Sequence, residues 1–192
     1  TWEVYEALPT NPETSAILSV STSPASGWTN HPQAGLTLFD LSYLNGFFWC
    51  GENGGNSGRI QRSSDGVTWT TINTGTTSRV GTIAYGNGVY VAPQFGGNVL
   101  TSSNGTAWTS NTPAGGFSGW RQVAFGNGVF VIAGSTSGLL YSTDGTSWAG
   151  GAVMTAGFGV FFGNGLFVAY GANGEVLTSL DGVTWTLQAN GA

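Results

Sequence analysis

In 192 residues, the side chains that carry charge, ligate metal or attack as a thiol are nine carboxylates, four arginines, one histidine and one cysteine. Three of the acids, Glu3, Glu6 and Glu13, crowd the N-terminal segment, and Asp65, Asp144 and Asp181 recur in one repeated motif. That leaves Asp40, Glu52 and Glu175, a short list in which nothing marks out the placed pair of carboxylates that glycoside hydrolysis needs, so no catalytic residue is assigned. A lone Cys50 cannot form an intrachain disulfide, and with His31 it makes no zinc set. Following Phe47, Phe48 and Trp49, Cys50 reads as a buried small hydrophobe, and His31, beside Pro32, as a loop residue. No metal or cofactor is expected. What remains is recognition chemistry. Trp120, Arg121, Arg79, Glu52, Phe95 and Phe117 recur nowhere in the pattern described below. An aromatic ring beside arginines and amides suits a sugar, the ring packing on C–H faces and the polar groups bonding hydroxyls. Alternatively, Trp120 plugs a channel and Arg121 pairs with an acid.

These candidates sit in a chain of unusual composition. It holds 33 Gly and 25 aromatic residues, yet only 7% are charged and the net charge is −5. So many Gly, Ser, Thr and aromatic residues disfavour helix, and the aromatic content supplies burial that a disordered chain lacks. Four arginines without a lysine give no basic footprint for nucleic acid. No apolar run reaches the roughly 18 residues of a membrane helix.

The elements follow from a repeat. Ser63-Ser64-Asp65-Gly66-Val67-Thr68-Trp69 returns as Ser102-Ser103-Asn104-Gly105-Thr106-Ala107-Trp108, as Ser142-Thr143-Asp144-Gly145-Thr146-Ser147-Trp148 and as Ser179-Leu180-Asp181-Gly182-Val183-Thr184-Trp185. A worn copy ends at Trp28. The five tryptophans stand 41, 39, 40 and 37 residues apart. Asn45-Gly46, Asn87-Gly88, Asn127-Gly128 and Asn164-Gly165 keep the same beat. Asn-Gly between apolar segments is a strong hairpin signal, because a type I′ turn needs positive φ at both central residues. Four short strands per unit of about 40 residues spell a β-propeller blade. In the second unit they are predicted at Val80–Tyr85, Val89–Gln94, Asn98–Ser102 and Ala107–Ser110.

The Ser-x-Asp-Gly-x-x-Trp segment resembles the Asp-box (sialidase-type, or BNR) repeat, and the alternation with Gly-Asn-Gly hairpins looks like small propeller domains of bacteriophage tail and virion surface proteins. The first resemblance places the box on the hairpin between a blade's third and fourth strands. It also brings the prospect of a glycosidase, but the arginine cluster that a sialidase would use finds no comparable spacing among Arg59, Arg62, Arg79 and Arg121. On the residues alone, the box is structural: Asp or Asn binds turn amides, Gly supplies the permitted backbone, and Trp packs toward the neighbouring blade.

The expectation is therefore one all-β domain over residues 1–192. Regular blades are predicted at 38–71, 72–110, 111–149 and 150–186, and residues 1–37 form an irregular fifth blade or an N-terminal arm on a four-bladed ring. The repeated turns share one ring face, and the variable segments, with the candidate residues, occupy the other. Function then reads as a non-enzymatic binding or adhesion module at a virion surface or outside the cell. Its partners would be a glycan or surface receptor and other assembly proteins, with several copies or a homo-oligomer giving avidity. A purely structural virion or fibre protein is the alternative, and a glycoside hydrolase a more distant one.

Overall fold

The computed structural model describes residues 37–52, 58–114, 118–134, 138–154 and 157–188. The predicted first blade with Trp28 and His31, the acids Glu3, Glu6 and Glu13, and the candidate Phe117 lie outside the described residues.

Four four-stranded antiparallel sheets run in chain order. Blade one is β1 (Leu38–Leu44), β2 (Phe47–Glu52), β3 (Arg59–Ser63) and β4 (Thr70–Asn73); blade two is β5 (Ala84–Gly86), β6 (Val89–Pro93), β7 (Val99–Ser102) and β8 (Thr109–Asn111). Blade three is β9 (Trp120–Gly126), β10 (Val129–Gly134), β11 (Gly138–Ser142) and β12 (Ala149–Gly150). Blade four is β13 (Gly157–Gly163), β14 (Leu166–Gly171), β15 (Val176–Ser179) and β16 (Thr186–Leu187). The inner strand of blade two is shorter than predicted. Only a lone Val80–Gln94 bridge precedes Ala84, because Thr82 donates its N–H to the Arg121 carbonyl of blade three instead. Its outer strand begins at Thr109, since the Asn104 side chain captures the N–H groups of Thr106 and Ala107.

Turn chemistry follows the repeat. Asn45, Asn87, Asn127 and Asn164 all have φ near +50°, each followed by a positive-φ glycine, the backbone of a type I′ hairpin. In the box, Ser63 Oγ accepts the Gly66 N–H (2.9 Å), and Asp65 Oδ1 accepts those of Val67 (2.8 Å) and Thr68 (2.7 Å). Trp69 Nε1 closes the turn on the Gly66 carbonyl (3.2 Å). The same bonds recur around Asp144 and Asp181. Asn104 performs the role without a charge.

The core lies between blades. Trp49, Ile60 and Ile72 of blade one pack with Val80, Ile83, Tyr90, Ala92 and Leu100 of blade two, and clusters of the same kind join blades two to three and three to four. Box and hairpin turns also reach across these joints. Asn87 Nδ2 donates to the carbonyls of Gly128 and Thr143 in the next blade, and Asn127 Nδ2 to those of Gly165 and Leu180. Both repeated turns therefore share one face, as predicted. At the two ends of the series the blade faces are open among the described residues: Phe161 (58% exposed), Val168 and Tyr170 on blade four, Leu41 and Tyr43 on blade one.

Candidate functional site

The inner strands β1, β5, β9 and β13 meet around one axis, and each enters from the variable face. Leu41, Ile83, Val123 and Val160, on or just before these strands, line one axial cavity, and two residues earlier in the chain stand Phe39, Gly81, Arg121 and Phe158. Gly81 leaves no room for a side chain, since a Cβ there would lie 2.2 Å from the Arg121 carbonyl. Phe95, from the β6–β7 loop, supplies blade two's aromatic ring instead. It meets Phe39 edge-on at 5.9 Å, and two guanidinium groups lie over it, Arg121 at 5.7 Å and Arg79 at 5.9 Å. Arg121 also lies 5.9 Å from the Phe158 ring, so it bridges two aromatic side chains from two blades. Backbone bonds hold the cluster: Phe95 N–H donates to the Arg79 carbonyl, and Gly119 N–H to that of Phe95.

Just below, a polar bridge crosses the axis. Gln122 Nε2 donates to Asp40 Oδ2 (3.1 Å), while Gln122 Oε1 accepts the Val160 N–H (3.1 Å). Gly159 makes space for that amide, because a Cβ there would sit 2.0 Å from Oε1. Asp40 and Gln122 also line the axial cavity of about 250 Å³, whose walls include Leu41, Ile83, Val123 and Val160. The arrangement is a shallow mouth with a cationic and aromatic rim and a hydrogen-bonding floor.

Of the six residues singled out in the sequence, Arg79, Arg121 and Phe95 converge here. Trp120 begins β9 beside Arg121. Phe117 lies outside the described residues. Glu52 must be reassigned: it is 1% exposed and ion-paired with Arg59 at 2.5 Å, closing the neck of the β2–β3 connection, so it does not face a ligand. Phe39, Phe158 and Gln122 were not anticipated. Their shared place at the entry of the inner strands was the available signal for the two phenylalanines; nothing in the sequence marks Gln122. The box acids are turn acceptors. The N–H groups of Thr68 and Val67 hold the Asp65 carboxyl down to about 2, and those of Thr184 and Val183 hold Asp181 to about 2. At Asp144 slight burial pulls upward, but the N–H groups of Ser147 and Thr146 outweigh it and the shift is again downward. Cys50 is buried, and that burial, with the Asp40 charge, pushes its thiol up to about 11, which makes it inert. Among the described residues, no group of three His, Cys, Asp or Glu side chains could hold a metal.

Four-stranded antiparallel blades set around a shared axial mouth make this chain a β-propeller. No protein-family model matches it, and no curated protein does. Among solved structures it is similar to YCF48 from Cyanidioschyzon merolae (18% identity, 86% of this chain and 60% of that one, TM-score 0.65). It is also similar to virginiamycin B lyase from Staphylococcus aureus (13% identity, 84% and 58%, TM-score 0.72) and to the Pan2 WD40 domain of Neurospora crassa (11% identity, 80% and 49%, TM-score 0.64). It thus spans about half to three-fifths of the length of these propellers. At such identities the likeness carries the fold alone.

Proposed function

We propose that the protein is a non-enzymatic binding module that presents its axial mouth to a surface glycan or receptor, as part of a virion, phage tail or extracellular assembly. The observation that carries this reading is the placement of Arg121 between Phe95 and Phe158, with Arg79 on the same Phe95 ring. These residues break the repeat, and they sit on loops and strand entries held by a rigid scaffold, where function concentrates. Propellers of this shape serve binding in other proteins: YCF48 has been solved with a D1 peptide bound, and a chain of the nidogen/laminin complex shares the fold. The fold also carries a lyase, so the case against catalysis rests on the acids. Glu52 is paired, the box acids are bound in turns, and Asp40 accepts from Leu41 N–H and Gln122; Glu175 alone then makes no pair of carboxylates. The Asp-box and phage-like texture of the sequence favours the virion setting.

A glycan array, with a parallel panel of immobilised cell-surface extracts, tests the reading. Binding lost in Phe158→Ala at unchanged melting temperature supports it, and the absence of binding to either panel defeats it. A second reading, a structural assembly protein, is favoured by the exposed Phe161, Val168 and Tyr170 face. Defined oligomers in light scattering, with neither panel bound, would select it.

A further inference from the structure

Among the described residues, the rim of the mouth is where two of this acidic chain's four arginines meet one ring. Of its four arginines, Arg59 is tied to Glu52, and Arg62 lies over the Phe47 and Trp49 rings at 4.5 and 5.4 Å. The other two, Arg79 and Arg121, both lie over the Phe95 ring, at 5.9 and 5.7 Å from its centre, and neither forms an ion pair among the described residues. One apolar ring thus gathers two like charges. Arg121 is also partly stripped of water, its Nε being buried without a hydrogen-bond partner among the described residues. An anion at the rim balances that charge, and the planar guanidinium fork matches a carboxylate or sulfate better than any neutral acceptor.

Resting on the binding-module reading, we propose that the mouth takes an anionic saccharide. Its acidic group would lie against Arg79 and Arg121, and a sugar face would lie on the exposed Phe158 ring. The floor selects the rest of the ligand. Asp40 is exposed, and each of its carboxylate oxygens already accepts one bond, from Leu41 N–H or from Gln122, with a further lone pair left over. It repels a second negative charge and favours hydroxyl donors. A negative group beside several hydroxyls is the chemistry of an acidic or sulfated sugar. A polyphosphate or a multiply acidic peptide would bring charge onto Asp40.

The test uses the full chain on an array of uronate-terminated, sialylated and sulfated oligosaccharides, each paired with its carboxyl-reduced, asialo or desulfated parent. We expect at least a tenfold preference for the acidic member of one pair. The preference should fall toward one in Arg79→Gln and weaken as sodium chloride is raised; which pair responds separates carboxylate from sulfate. Arg79 is exposed, so this variant keeps the test sound even where Arg121→Gln perturbs folding. Equal binding to acidic and neutral members, or a preference that survives Arg79→Gln, overturns the anion proposal while leaving the binding module standing. Preference for a poly-aspartate peptide over every saccharide also overturns it. Silence across the whole array removes this proposal together with the glycan arm of the binding reading.

Discussion

The box aspartates make the fold's stability depend on acid in a direction that their hydrogen bonds dictate. In the folded chain Asp65 and Asp181 titrate near 2, against an ordinary value of 3.8. A depressed carboxylate contributes stability that is fully present above its unfolded value and is lost as pH falls through the folded one. The melting temperature should therefore hold level down to about pH 4 and decline between there and about pH 2. Asp181→Asn should flatten that decline while keeping the turn, because Asn104 already fills the role in blade two. A decline as steep in the variant as in the parent would count against this account. Glu52 and Arg59 make a second residue-scale prediction, and it is asymmetric. Arg59 is 38% exposed and can rehydrate alone, whereas Glu52 is 1% exposed. Arg59→Met, which strands a buried carboxylate, should cost about 3 kcal/mol, and Glu52→Gln about 1 kcal/mol, by chemical denaturation. Equal costs would mean that the pair is not buried as described.

At the scale of the element, the two kinds of conserved-geometry glycine do different work, and substitution separates them. Gly88 has φ of +80° with open space around a would-be Cβ, so Gly88→Ala meets only backbone strain, about 1 kcal/mol. Gly105 has φ of +73°, and its Cβ would press the Trp49 ring of the preceding blade at 2.5 Å. Trp49 is fully buried and cannot yield, so Gly105→Ala should cost about 3 kcal/mol or more. Denaturation of the two variants side by side checks the ordering, and a reversed order would break the picture of the box as an interblade joint. The hairpins and boxes were legible in the sequence because each is a local conformational demand met by local residues at a fixed beat. The mouth was legible only in part. Arg79, Arg121 and Phe95 stood out as breaks in the repeat, but Phe39, Gln122 and Phe158 become neighbours only when strands about 40 residues apart meet at the axis. Glu52 misled for the same reason in miniature. Its loop position suggested access, while its pairing with Arg59 depends on how the β2–β3 neck closes.

For the whole molecule, charge and surface act together. The sequence has an isoelectric point near 4.4, and three of its nine acids are held below their ordinary range by the box turns. Those three stay ionised further into acid, so the folded chain should reach zero net charge somewhat below 4.4. At that pH the boxes are still intact, and the protein remains native. Near zero net charge, the repulsion that keeps copies apart vanishes, while Phe161, Val168 and Tyr170 still present an apolar blade face. Native-state self-association should therefore peak just below pH 4.4, before acid unfolding begins. Light scattering across pH, read together with tryptophan fluorescence, separates the two events: scattering should rise while the fluorescence stays native and subside again at lower pH, and Gln188→Glu, which adds a carboxylate, should move the peak to lower pH. Phe161→Ser should lower the scattering peak without moving its pH, because it changes the surface and leaves the charge alone. A peak that coincides with the loss of native fluorescence would show that unfolding, rather than the exposed face of blade four, drives association.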